Sequence, residues 1–407
     1  MHTPIATSAR RPRHIFRASV LILALFAAAC SDDTTSSEPE DAATEEAGTT
    51  TTTESSATTT TTTEPPAPAL FDARGPYDVG VVTIDLGDRF TEVYYPAEPD
   101  PGAETEVFDT LAVFPENLQE FIPEELSGLT ETTAYRDAPP LAEVPTGGFP
   151  IAVYSHGFGG FRQVATFHTS HLASWGHVVI STDHLERGIA AQASGTLGGG
   201  AENQDVLDVI NSIEAVTADE RFATMADPER VVITGHSAGA GTSARAAAED
   251  IIDGYISISG GAPEMVTQKP AMVIIGELDA VVPAERSYDL YEQLDTAVLV
   301  NIADGGHNSF TDSCRGIRDL GGLGALSALI GEEQVGRAED GCVEPFVEPE
   351  VPKTVLNHYT VRFLFDLFGD EPLEDPVADV SALLVVEDLD EGETGTVPVE
   401  FADFQPE

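Results

Sequence analysis

The chain has 407 residues, room for one large domain with tails, and carries 70 acidic against 19 basic side chains for a formal charge of −51. Lys269 and Lys353 are its only lysines. A surface this negative repels nucleic acid and anionic membranes, so nucleic-acid binding is excluded and anionic substrates are disfavoured.

The first 29 residues read as a targeting segment. Arg10, Arg11, Arg13 and Arg17 form a basic head, and Val20 to Ala29 is an apolar run too short to span a bilayer. Ala27-Ala28-Ala29 then precedes Cys30. The arrangement resembles a bacterial lipoprotein signal, which implies that Cys30 is the acylated first residue of the mature protein. Membrane contact would then be only through that anchor, on the outer face of the cell membrane. An ordinary cleaved signal with an incidental cysteine is the alternative, and the Arg10-Arg11 pair hints at twin-arginine export. Residues 30–69 are Thr, Ser, Glu, Ala and Pro with almost nothing to bury, so they read as a disordered tether. With Cys30 as anchor, Cys314 and Cys342 are left to pair in an oxidising compartment, two separate buried thiols being the bland alternative. Such a bridge stabilises a fold by about 3–4 kcal/mol.

The folded domain is expected over 70–369. Val79 to Leu86 and Phe90 to Tyr95 predict an opening antiparallel hairpin around Gly87-Asp88, and 105–145 a mixed helical and loop excursion. Strands follow at Ile151 to Tyr154, His177 to Thr182, Val231 to Thr234, Tyr255 to Ser259, Ala271 to Ile275 and Ala297 to Ile302. Helices are predicted over Phe161 to Trp175, Asp205 to Thr217, Ala238 to Ala248, Ala284 to Leu294 and Val355 to Phe368. Short apolar strands alternating with helices mean an α/β domain: a mostly parallel central sheet of about eight strands, with helices on both faces. The tail over 370–407 is acidic and reads as mostly mobile, with Ser381 to Val386 a candidate strand.

The most telling run is Val231-Val232-Ile233-Thr234-Gly235-His236-Ser237-Ala238-Gly239. Four β-prone residues lead into Gly-x-Ser-x-Gly, and an alanine-rich helix follows. A strand, a sharp turn and a helix place the serine at the apex, where glycines two residues either side relieve crowding and the hydroxyl is pushed into the open.

Over about residues 70–369 the chain resembles the α/β-hydrolase family, and within it the lidless bacterial esterases related to platelet-activating-factor acetylhydrolases and polyester hydrolases. Four places carry the likeness: Ser155-His156-Gly157-Phe158-Gly159-Gly160, Gly235-His236-Ser237-Ala238-Gly239, Gly276-Glu277-Leu278-Asp279 and Asp304-Gly305-Gly306-His307. They fall in the family's order of oxyanion loop, serine, acid and histidine. Chemistry supports each. A serine hydroxyl needs a base to take its proton, and His307, on a glycine-flanked loop after a strand, is the candidate. Asp279 follows a strand at the carboxyl edge of the sheet and would fix the imidazole tautomer, with Glu277 and Asp304 as competing acids. The resemblance assigns the oxyanion hole to the backbone N–H groups of Phe158 and Ala238.

The other histidines fit lesser roles. His168 and His171 stand three apart and could share a metal, but no third ligand is evident, so they read as a surface or groove pair. His156 and His236 read as supports beside loop and turn, and His184 as a site-lining residue. No cofactor and no metal are implied. The related polyester hydrolases carry methionine after the serine and a tryptophan clamp, whereas this chain has Ala238 and Ser259-Gly260-Gly261-Ala262, and its sole tryptophan, Trp175, reads as core. These differences count against polyester cleavage without excluding it, and the negative exterior disfavours anionic substrates, so neutral short-to-medium acyl esters are the expected substrates. A peptidase or acyltransferase on the same triad is the nearest alternative, and a non-catalytic surface-binding lipoprotein the more distant one. The insertion from Asp312 to Pro352, pinned by Cys314 and Cys342, is expected to wall one side of the pocket. Nothing in the sequence sets an oligomeric state.

Overall fold

The computed structural model describes residues 70–114, 116–120, 129–194, 196, 202–369 and 399–404. The signal segment, Cys30, the tether and the Ser381 to Val386 segment lie outside the described residues.

Strands β1 (Asp78–Asp85) and β2 (Phe90–Ala97) form the expected antiparallel hairpin. The excursion after it holds β3 (Val107–Asp109), helix α1 (Glu116–Gln119), β4 (Leu129–Glu131) and β5 (Ala134–Arg136). Then come β6 (Phe149–Ser155), α2 (Thr166–Ser174), β7 (Val178–Thr182), α3 (Ile189–Ser194), α4 (Glu202–Ala218), β8 (Ala226–His236) and α5 (Ala238–Ala246). The second half runs β9 (Gly254–Ile258), β10 (Ala271–Gly276), α6 (Ala284–Tyr291) and β11 (Ala297–Ile302). The insertion contributes α7 (Ser313–Asp319), α8 (Ser327–Ile330) and α9 (Glu332–Glu339). The chain then returns through α10 (Glu350–Phe368) and β12 (Val399–Phe404).

The main sheet has ten strands in the order β12-β11-β10-β9-β8-β6-β7-β2-β1-β5. Its centre, β11 through β7, is parallel throughout, so those strands end at one edge. The sequence predicts about eight strands, and the two additions are edges. Three residues of the excursion, β5, pair in parallel with β1. The tail, read as mobile beyond 369, sends β12 back antiparallel to β11.

The strands are apolar on both sides because both sides are covered. Ile151, Val153, Val231, Ile233, Val273 and Ile275 pack with Val209 and Ile213 of α4 and Leu290 of α6. Their alternates Ala152, Val232, Met272 and Ile274 pack with Leu172 of α2 and Val355 and Tyr359 of α10. Helix α2 starts at Thr166 rather than Phe161. The residues before it are held elsewhere: the Arg162 N–H and guanidinium donate to Asp183 at 3.0 and 2.8 Å, and Ser181 Oγ donates to the Arg162 carbonyl at 2.7 Å. The first free N–H of the helix, that of Thr166, is taken up by Asp312 Oδ2.

Candidate active site

The carboxyl ends of β6, β8, β10 and β11 carry the four sequence motifs to one edge of the sheet. Ser237 sits between β8 and α5 with φ 58° and ψ −122°, the strained turn conformation expected of an exposed nucleophile. A Cβ on Gly235 would lie 2.2 Å from the Gly239 carbonyl oxygen, and one on Gly239 1.9 Å from that of Ser155. Neither collision has a flexible neighbour to relieve it, so both glycines of the motif are required.

His307 Nε2 stands 2.9 Å from Ser237 Oγ, and His307 Nδ1 stands 2.8 Å from Asp279 Oδ2. Because the carboxylate only accepts, Nδ1 carries the proton and Nε2 accepts from the serine hydroxyl. Asp279 is itself fixed, its Oδ1 accepting from the N–H groups of Val281 at 2.9 Å and Val282 at 2.7 Å. The competing acids are elsewhere: Glu277 and Asp304 are exposed and His307 is bonded to neither. The acid and base loops are joined by the Leu278 N–H donating to the Gly305 carbonyl at 2.8 Å.

The loop from Ser155 to Gly160 lies against the nucleophile. A Cβ on Gly157 would be 3.0 Å from Ser237 Cβ, so the backbone leading into Phe158 approaches the serine closely. Among the described residues no hydrogen bond takes the N–H of Phe158 or of Ala238, the first residue of α5, leaving both amides available to an oxyanion. The Phe158 side chain is 44% exposed.

The histidines beside the triad are supports, as the sequence suggests. His236 donates Nε2–H to the His307 carbonyl at 2.8 Å, and burial together with the His307 ring pushes its pKa down to about 3. His156 donates Nδ1–H to the Gly157 carbonyl at 2.8 Å and accepts the His184 N–H at 3.1 Å through Nε2. Three expectations need correction. His168 and His171 are no surface or groove pair but buried in the core, where His168 Nδ1 meets Asn357 Oδ1 at 2.9 Å and His171 Nε2 meets the Phe71 carbonyl at 2.8 Å. Helix α2 is covered on nearly every side, so its histidines serve as hydrogen-bonding core residues. Trp175 is only partly buried; it sits edge-on to Phe71 at 5.0 Å and donates Nε1–H to the Ala73 carbonyl, away from the serine. His184 does not line the site, since it is fully buried.

His184 belongs to a network that the sequence reading missed. Arg187 Nη2 donates to Ser155 Oγ at 2.8 Å, and Ser155 Oγ meets His184 Nε2 at 2.9 Å. His184 Nδ1 faces Asp205 Oδ1 at 3.5 Å and Asp208 Oδ2 at 3.4 Å. Arg187 pairs with Asp205 and Arg89 with Asp208, so two guanidiniums balance two carboxylates. His184, Asp205 and Asp208 bring ligand atoms within 4.8 Å of one another, yet the two arginines already neutralise the carboxylates a cation would need. The network instead carries the oxyanion loop, since the Gly159 N–H donates to the Arg187 carbonyl at 2.8 Å and the Ile189 N–H to that of Gly160 at 2.9 Å. Asp205 and Asp208, three apart at the start of a helix, were the available signal.

Cys314 and Cys342 are bridged, as predicted. The insertion they close meets the triad loops: Asp340 Oδ1 accepts the His307 N–H at 2.5 Å, and the Asp340 carbonyl accepts that of Asn308 at 2.8 Å.

Comparison with known proteins bears on the fold that carries this site. The family model described as platelet-activating factor acetylhydrolase, isoform II, matches residues 72–205. That stretch holds the hairpin and the oxyanion loop and stops before Ser237. No curated protein matches the chain. Among solved structures the chain is similar to a ferulic acid esterase from Streptomyces cinnamoneus, at 20% identity and a TM-score of 0.55, over 77% of this chain and 96% of that one. That likeness shows the fold. The chain therefore has the α/β-hydrolase fold with its serine, histidine and aspartate hydrogen-bonded in line, the arrangement of a serine hydrolase, and over residues 72–205 it is similar to the platelet-activating factor acetylhydrolases.

Proposed function

We propose that the protein is an exported, lipid-anchored esterase that cleaves neutral acyl esters through an acyl-enzyme intermediate. The observation that carries this reading is the 2.9 Å contact between His307 Nε2 and Ser237 Oγ, backed by Asp279 at 2.8 Å. Ser237 Oγ attacks the ester carbonyl as His307 Nε2 takes its proton, and Asp279 stabilises the imidazolium. The amides of Phe158 and Ala238 receive the oxyanion. His307 then returns the proton to the departing alcohol, leaving Ser237 acylated. Water, deprotonated by the same imidazole, completes the turnover.

Phe158, Leu185 and Leu278 are each about two-fifths exposed, and they stand on the loops leaving β6, β7 and β10. Exposed apolar side chains there favour an uncharged acyl group, as does the negative exterior. Export is supported by the basic and apolar leader before Cys30 and by the Cys314–Cys342 bridge, a bond kept in oxidising compartments. The test is a chain-length series of p-nitrophenyl esters against wild type and Ser237→Ala. Hydrolysis of short and medium chains, lost in the variant, is the expected result. No ester turnover alongside cleavage of peptide anilides would replace the reading with a peptidase. For the anchor, Cys30→Ser should move the protein from the membrane fraction to the medium, and an unchanged membrane fraction would refute lipidation at that residue.

A further inference from the structure

We infer that Asp340, in the disulfide-closed insertion, is a positioning residue that holds the acid and base loops of the triad in register and sets a second carboxylate against His307. Its two carboxylate oxygens reach one loop each. Oδ1 accepts the N–H of His307 at 2.5 Å, and Oδ2 accepts the N–H of Ala280, the residue after Asp279, at 3.1 Å. A single side chain thus fastens the backbone at the base and beside the acid. An ionised carboxylate suits two such donors, since both oxygens are then acceptors only.

The segment carrying Asp340 is fitted to the base loop with no slack. A Cβ on Gly306 would lie 2.4 Å from the Gly341 nitrogen and 2.6 Å from Asp340 Oδ1. Gly341 has φ +90°, and a Cβ there would meet Ser309 Oγ at 2.6 Å and Ser309 N at 2.7 Å. Ser309 Oγ accepts the Gly306 N–H at 3.0 Å and donates to the Gly341 carbonyl at 3.1 Å. Asn308 Nδ2 donates to the Arg337 carbonyl at 2.8 Å. Cys342, two residues beyond Asp340, is bonded to Cys314, which lies seven residues past His307. The bridge therefore ties the carboxylate to the loop it braces.

Charge adds to geometry. Asp340 is buried, and the titratable groups facing it are Asp279 and His307. Those facing His307 are Asp279 and the neutral ring of His236. A carboxylate beside the imidazole favours its protonated form, the form the base passes through during acyl transfer. A group that only filled space would leave the basicity of His307 untouched.

The inference rests on the triad reading above, and its test separates the two. Wild type, Ser237→Ala and Asp340→Asn are compared on p-nitrophenyl butyrate, with rates expressed per site titrated by a fluorophosphonate. An active wild type with a dead Ser237→Ala leaves the triad reading standing whatever Asp340→Asn does. In Asp340→Asn one acceptor becomes an amide N–H that faces a backbone N–H. We expect kcat to fall about 10–100-fold with KM within twofold. The acid limb of the kcat/KM profile should shift to lower pH, because His307 loses a stabilising negative neighbour. Wild-type kcat per titrated site with an unmoved acid limb would overturn the inference, as would a loss confined to the number of titrated sites. Should Asp340→Asn fail to fold, Asp340→Ser carries the same test: folded by circular dichroism, it should show the lowered kcat and shifted limb, and wild-type values for both would overturn the inference.

Discussion

His236 Nε2 donates to the backbone carbonyl of His307 across 2.8 Å, and the two rings stand 4.7 Å apart. The residue before the nucleophile therefore holds the base by its main chain, so the serine turn and the histidine loop cannot drift independently. Replacing His236 with phenylalanine keeps an aromatic ring but removes the donor. A hydrogen bond lost from a buried carbonyl costs about 1–2 kcal/mol. We expect kcat to drop about tenfold with KM little changed, and His236→Gln, which retains an N–H, to recover part of the loss in steady-state assays. Equal kcat in wild type and His236→Phe would show that the loop is held without it.

Gly157→Ala probes the oxyanion loop. The added methyl would sit 3.0 Å from Ser237 Cβ and 3.2 Å from the His236 carbonyl oxygen, neither of which can swing aside. The loop must retreat and take the Phe158 amide with it. Loss of one oxyanion donor costs on the order of 10²–10³ in rate. The expected result is a kcat loss of that size with a melting temperature close to wild type, and a variant of normal kcat would remove Phe158 from the proposed role.

Much of this site could be read in the sequence because its signals are local. The Gly-x-Ser-x-Gly turn, the glycines before His307 and the strand before Asp279 each declare themselves within a few residues. The structure brings Ser237, His307 and Asp279 together as those signals imply. What escaped depends on burial and on long-range pairing. Asp340 is one acid among many in an acidic insertion, and its bonds to His307 and Ala280 span 33 and 60 positions. Arg187 and Asp205 look like solvated surface residues until the fold closes over them. His168 and His171 mislead for the same reason, since nothing within α2 reveals that α10 covers it. Edge strands β5 and β12 are short or distant, so sheet size was underestimated at both ends.

Arg187→Met tests the buried network under the oxyanion loop. Arg187 and its partner Asp205 are both nearly inaccessible to water. The substitution leaves Asp205 buried without its cation, beside the similarly buried Asp208. Breaking one side of such a pair costs about 3–5 kcal/mol. A melting temperature lowered by several degrees is expected, with activity falling in parallel, and an unchanged melting temperature would mean that the pair carries no net stability.

Stability should also respond to pH through histidines. His156, His168, His171, His177, His184, His236 and His358 all have pKa values lowered chiefly by burial, to about 3 or 4 for five of them. They stay neutral in the folded chain, while the unfolded chain protonates them near 6.5. Their contribution is therefore fully present above pH 6.5 and is lost as pH falls towards the folded values, by about 1.4 kcal/mol per histidine per pH unit. Asp205, raised to about 6 mainly by burial, works in the opposite sense, favouring the folded state as pH drops, and so do Asp208, Asp312 and Asp340, also raised chiefly by burial. The seven histidines outnumber these four carboxylates. Melting temperature should decline steeply between pH 6.5 and 5, before ordinary carboxylates titrate, and a flat profile over that range would contradict the neutral, buried assignment.

The central claim is that Ser237 alone is activated for attack. Ser155 offers an internal control, because its hydroxyl also faces a histidine nitrogen at 2.9 Å yet is fully buried. The direct measurement is fluorophosphonate labelling of the intact protein followed by peptide mapping of the adduct. The account predicts a single adduct on Ser237, unchanged in Ser155→Ala and absent in Ser237→Ala. An adduct on Ser155, or undiminished labelling of Ser237→Ala, would contradict it.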